Sequence, residues 1–212
     1  MKLRIAALTV ICLALAAMPA WAADWENGPI NGTTDAWTIN FGYVVSDSYL
    51  SDGSTVTGFM FGVWEFPGDT MSSVDWSITS GENSGTVYGS GTASGSNLTD
   101  KFISTNQYGY DIDLITVTGL NVAEVSGTTY WLNLQNASVP SGDPVYWDEN
   151  SGAGCKSNGC PAKASESAVG TIASEAFTIN GGGTGTTPEP SSIMLFGSGI
   201  LGLAGVLRRK LF

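Results

Sequence analysis

The densest set of reactive side chains runs from Asp143 to Gly152, reading Asp-Pro-Val-Tyr-Trp-Asp-Glu-Asn-Ser-Gly. Two aromatics and three carboxylates in one loop suit two kinds of binding chemistry. Tyr146 and Trp147 could stack on sugar rings, or Asp148, Glu149 and Asn150 could offer oxygens to calcium, which prefers hard oxygen donors. Their spacing does not match the EF-hand loop, so no metal motif is satisfied. The simpler structural expectation is that Tyr146 or Trp147 plugs the edge of a core while the acids stay solvated. Trp131, Asn133 and Gln135 share one face of a strand, a second surface on which a glycan could rest. The candidate glycan-binding residues are therefore Trp131, Tyr146 and Trp147. Asp111 and Asp113 could act as an acid–base pair in glycoside hydrolysis, but that requires a defined separation across a cleft. The sequence contains no His. That excludes Ser-His-Asp triads, Cys-His pairs and His-ligated metals, and we expect a protein that is not an enzyme and carries no cofactor beyond, at most, calcium.

These side chains must be positioned by strands. Trp37, Ile39 and Phe41 alternate with polar residues, as do Val74, Trp76 and Ile78, and Tyr130, Leu132 and Leu134. Phe59, Phe61 and Val63 continue the pattern, and Tyr108, Tyr110, Ile112 and Leu114 alternate with Gly109, Asp111 and Asp113. Period-two alternation marks half-buried antiparallel strands. Turn signals such as Ser51-Asp52-Gly53, Pro67-Gly68-Asp69 and Ser141-Gly142-Asp143-Pro144 separate them. The expected fold is an all-β antiparallel sandwich, jelly-roll-like or immunoglobulin-like, spanning residues 23–179. A last strand is expected at Ala176–Ile179, with a Gly/Thr-rich linker at 180–187.

Charge and cysteines describe the surroundings. Residues 23–187 hold 18 acidic side chains against Lys101, Lys156 and Lys163, a net charge of 3 − 18 = −15. Such a surface repels polyanions, so nucleic acid is not an expected partner. Cys155 and Cys160 flank a turn-forming Lys-Ser-Asn-Gly and, outside the cytoplasm, are expected to form a disulfide pinning that local loop.

The two ends specify an address. Lys2 and Arg4 precede an apolar run, and Ala20-Trp21-Ala22 supplies a small-x-small cleavage site. This is a signal peptide over residues 1–22, read by the Sec export machinery and cut after Ala22. At the other end, residues 191–207 form an uncharged apolar stretch of the shortest length that spans a bilayer. Arg208, Arg209 and Lys210 follow and keep the C-terminus cytoplasmic. Pro188-Glu189-Pro190 stand directly before the stretch.

Pro188-Glu189-Pro190, a short Gly-rich apolar helix and a basic cluster, in that order, resemble the PEP-CTERM sorting signal over residues 188–212. The resemblance implies an exosortase as processing partner, cleavage near Pro188-Glu189-Pro190, and only transient residence in the inner membrane. It further implies release to the cell surface or extracellular matrix of a Gram-negative bacterium that makes exopolysaccharide, which becomes a candidate partner. The function expected is a non-catalytic exported surface or matrix protein. The alternative is a carbohydrate-binding module acting on exopolysaccharide, and a remote third is a carboxylate-based glycan hydrolase.

Overall fold

A computed structural model describes Trp25–Gly181 as an antiparallel β-sandwich. The signal peptide, the end of the linker from residue 182, the apolar stretch and the basic cluster lie outside the described residues. Among the described residues no helix is long and apolar enough to cross a membrane.

The strands in chain order are β1 (Trp25–Glu26), β2 (Asp35–Thr38), β3 (Val44–Leu50), β4 (Val56–Glu65) and β5 (Ser73–Gly81). Then come β6 (Ser84–Ser94), β7 (Leu98–Thr105), β8 (Asp111–Val122) and β9 (Thr129–Ser138). Four short strands complete the domain: β10 (Tyr146–Glu149), β11 (Ala164–Glu166), β12 (Gly170–Ile172) and β13 (Phe177–Gly181). One sheet is built around β4. Its first edge takes β8 and then β7, while its second is shared by β13–β1 along one half and β10–β2 along the other. The other sheet runs β12-β11-β3-β9-β5-β6.

Alternation explains which residues meet between the sheets. Phe59, Phe61 and Val63 of β4, Ile115 and Val117 of β8, Trp147 of β10 and Phe177 of β13 face inward from the first sheet. Val45 and Tyr49 of β3, Val74 and Ile78 of β5, and Tyr130, Leu132 and Leu134 of β9 meet them from the second. Edge-to-face rings join the layers: Phe59 lies 6.2 Å from Trp76, and Tyr49 lies 6.4 Å from Phe177.

Three details depart from the sequence reading. Phe41 does not continue β2 into the core; it sits in the following turn at φ 54° and is 62% exposed. The Tyr108–Leu114 run is not one half-buried strand. Residues 107–109 form a turn, β8 starts at Asp111, and the inward positions are Asp113, Ile115 and Val117. Simple alternation misreads β8 because its outer face is covered too. The segment before β2 lies on it, and a Cβ on Gly32 would stand 2.8 Å from Ile112 Cγ1. Finally, the last strand extends through Asn180 and Gly181, where the linker was expected to begin.

The Cys155–Cys160 disulfide is formed, with Cα atoms 5.9 Å apart. Its loop clasps the first strand: Trp25 Nε1 donates to the Asn158 carbonyl at 2.9 Å, and the Glu26 amide donates to Ser157 Oγ at 2.7 Å. The bridge thus secures one edge of the first sheet as well as its own loop.

Candidate functional site

β10 carries the Tyr146-Trp147-Asp148-Glu149 stretch between β2 and β4, and strand alternation separates its side chains. Trp147 points inward and is fully buried, 5.9 Å from Phe61 and 5.6 Å from Phe177. It cannot serve as a sugar platform. The two halves of the structural expectation fare differently, because Trp147 does fill the core but the acids beside it are not solvated. Asp148 is fully buried, accepting from the Asn31 and Gly32 amides at 2.8 and 2.9 Å and from Trp64 Nε1 at 2.6 Å. Burial pushes its carboxyl above the ordinary range, and these donors only partly offset that. Glu149 accepts from Trp37 Nε1 and Ser151 Oγ, each at 3.0 Å. Asn150 Nδ2 donates to the Asn27 carbonyl at 2.7 Å. Asp148, Glu149 and Asn150 therefore fasten the N-terminal segment over the sheet.

Trp131 lies on the outer face of the other sheet, half-buried, opposite Ser48 and Thr79. Its neighbour Asn133 is buried, not displayed. Asn133 Nδ2 donates to Thr79 Oγ1 at 2.9 Å, and its Oδ1 accepts from Ser46 Oγ at 2.7 Å and from the Asn83 amide at 2.9 Å. Trp131 and Tyr146 thus lie on the outer faces of different sheets and Trp147 in the core between them, and the structure does not bring them together.

Tyr146 instead joins an aromatic group on the outer face of the first sheet that the sequence reading missed. It sits opposite Trp64, and its ring meets Tyr110 edge-to-face at 5.7 Å. Tyr110 meets Phe66 at 5.1 Å, and Tyr108 stacks on Trp64 at 5.8 Å with 23° between the planes. Trp64 is the buried floor, while Tyr108 is 58% exposed and Phe66 36% exposed. Stacking on Trp64 fixes the Tyr108 ring so that its opposite face is held toward solvent. The outward phase of Trp64-Glu65-Phe66 was a legible signal, since those rings flank an inward-facing residue at the end of β4.

Asp111 and Asp113 lie on the inner face, not on a polar outer side. They pair across the strands with Glu65 and Val63. Glu65 is fully buried, with neither carboxylate oxygen hydrogen-bonded. Burial, reinforced by Asp100, Asp113, Asp69 and Asp111, pushes its carboxyl up to about 8, and burial with Asp100 and Asp111 raises Asp113 to about 7.

A second buried acid pair joins the sheets. Asp47 of β3 and Glu175 are both wholly inaccessible, and the Glu175 amide donates to Asp47 Oδ2 at 2.6 Å. Asp47 Oδ1 and both Glu175 Oε atoms have no partner. Burial raises both carboxyls, and Asp47, followed by Glu149, Asp148 and Asp35, raises Glu175 further. Folding therefore favours their protonated forms. The stability they contribute is fully present below about pH 4, the ordinary carboxylate value, and is lost as pH rises through their raised folded values. The urea midpoint is expected to fall between pH 4 and pH 7.5, and to fall less in the Asp47→Asn/Glu175→Gln double variant. An equal fall in both proteins would show that this pair does not set the dependence.

Residues 186–210 match the PEP-CTERM protein-sorting motif. The match includes Pro188, Glu189 and Pro190 at one end and Arg208, Arg209 and Lys210 at the other. It marks an exported protein targeted to an exosortase, anchored in a membrane and then cleaved. Comparison of the chain with curated proteins finds no match.

Proposed function

We propose that this chain is a non-catalytic surface or matrix protein, delivered by Sec export and freed from the inner membrane by exosortase cleavage near Pro188-Glu189-Pro190. The observation carrying this reading is the sorting motif placed directly behind a hydrophilic, acidic β-sandwich. The signal peptide brings the domain across the membrane, and the apolar stretch holds it there until the exosortase cleaves. The absence of His and the engagement of Asp148 and Glu149 by internal donors favour a binding or structural role over catalysis. Epitope detection in cell fractions tests the placement. A domain found at the surface or in the matrix supports it, and one confined to the periplasm opposes it.

A second reading, favoured by the Tyr108–Trp64 stack, is binding of exopolysaccharide on the outer aromatic face. Pyranose rings present apolar C–H faces that pack on exposed aromatic rings, while tyrosine hydroxyls at the rim bond sugar hydroxyls. Electrophoresis through gels containing alginate or a neutral β-glucan tests it. One of the two should retard the protein, and Tyr108→Ala should abolish the retardation while costing about 1 kcal/mol of stability, the worth of its stacked pair with Trp64. Equal mobility with and without both polymers would remove this reading.

A further inference from the structure

We propose that the groove beside Phe41, at the end of the sandwich next to the outer aromatic face, is a second sugar subsite that takes a neutral hexose. It rests on the exopolysaccharide reading of that face and extends it across the loop leading into β10. Asn40-Phe41-Gly42-Tyr43 is a tight turn, closed by the Tyr43 amide donating to the Asn40 carbonyl at 3.0 Å. Phe41 and Gly42 both have positive φ, 54° and 89°. That is the pattern of a type I′ turn, whose first central place favours Asn, Asp or Gly. A bulky aromatic there is strained, and Phe41 recovers little through burial because it is 62% exposed. The ring therefore costs the fold stability, which marks it as a binding residue.

Phe41 lines an open groove of about 300 Å³, the lower end of the range for ligand pockets and room for one pyranose ring. Its walls are already fixed. Asn40 Nδ2 donates to the Asp143 carbonyl at 3.0 Å, Asn136 Nδ2 to Asp75 Oδ2 at 2.9 Å, and the Asp143 amide to Ser141 Oγ at 3.1 Å. Asp143, Asn136 and Ser138 also line the groove. Among the described residues none donates to the Asp143 carboxylate, to Asn136 Oδ1 or to Ser138 Oγ, so these oxygens can receive a ligand's hydroxyls. Asp143 connects the groove to the outer aromatic face. Burial, Tyr110 and then Asp143 push the Tyr146 hydroxyl above its ordinary range, which places the Asp143 charge close to that ring.

The lining selects the ligand class. An exposed aromatic face packs on the C–H face of a pyranose, while a carboxylate and an amide oxygen accept from its hydroxyls. No Lys or Arg lines the groove, and the domain around it is strongly acidic. A uronate polymer is therefore repelled by Asp143 and by the surrounding field, whereas a neutral glycan is not.

Electrophoresis of the full chain in detergent, through gels containing a neutral β-glucan or alginate, tests the subsite. The β-glucan should retard the wild-type chain and alginate should not. Phe41→Asn should weaken the apparent affinity for the β-glucan about tenfold, as for loss of one aromatic anchor. Asp143→Asn should weaken it about threefold, as for loss of one hydrogen bond. Because Asn suits the turn, Phe41→Asn should also raise the melting temperature by about 3 °C. A ring with a merely structural role would give the reverse: a lower melting temperature with retardation unchanged. Wild-type retardation of Phe41→Asn, with Tyr108→Ala still defective, would overturn the groove and leave the outer face standing. Retardation by alginate would overturn the neutral class, and mobility unchanged by either polymer would remove both readings together.

Discussion

Trp147→Ala is expected to destabilise the domain by about 3–5 kcal/mol, a large share of what a domain of this size possesses. Trp147 is fully buried where three elements meet: β10 carries it, Phe61 of β4 and Phe177 of β13 flank it, and its Nε1 donates to the Ala176 carbonyl at 3.1 Å. Truncation opens a cavity at the junction where β10 and β13 share the edge of β4, and it removes one of the two donors to that carbonyl, which keeps the Gly62 amide at 3.2 Å. Trp147→Phe keeps most of the packed volume and loses the hydrogen bond, so it should cost about 1–2 kcal/mol. Urea unfolding followed by tryptophan fluorescence and circular dichroism reads both. If the alanine variant kept the wild-type midpoint, Trp147 could not occupy the position described.

The second large effect concerns release. Replacing Pro188, Glu189 and Pro190 together by Ala leaves the apolar stretch and the basic cluster intact, so membrane insertion proceeds as before. Recognition by the exosortase should fail, and the chain should accumulate as the uncleaved precursor in the inner membrane. Quantitative immunoblotting of fractions checks this. Wild-type levels of released domain from the triple variant would mean that processing does not read these three residues.

The sandwich could be read in advance because its central strands keep a strict two-residue period where the core touches only one face. Phe59-Phe61-Val63, Val74-Trp76-Ile78 and Tyr130-Leu132-Leu134 all point where alternation places them. The period fails where a second layer covers a strand. Ile112 is buried beneath the segment that carries Gly32, so β8 bears apolar groups on both faces and its phase cannot be found from composition. The acids fail for a related reason. Asp148 and Glu149 have the composition of a solvated loop, and only the folded chain reveals that amides at Asn31 and Gly32 and the Trp37 and Trp64 indoles stand over them. Assembly of the outer aromatic face depends on contacts between residues far apart in sequence. Tyr146 meets Tyr110 only because β10 and β8 flank the same strand. The sorting tail was legible throughout, since its three parts are contiguous and need no tertiary partner to be recognised.

The central claim is that export and exosortase processing yield a free acidic β-domain outside the inner membrane. The most direct measurement is the intact mass of the protein in cell-surface and medium fractions, from cells with and without the exosortase. The account predicts a species beginning at Ala23 and ending near Pro188-Glu189-Pro190, present only when the exosortase is present. A chain still carrying the apolar stretch and Arg208-Arg209-Lys210, held in the inner membrane of both strains, would contradict it.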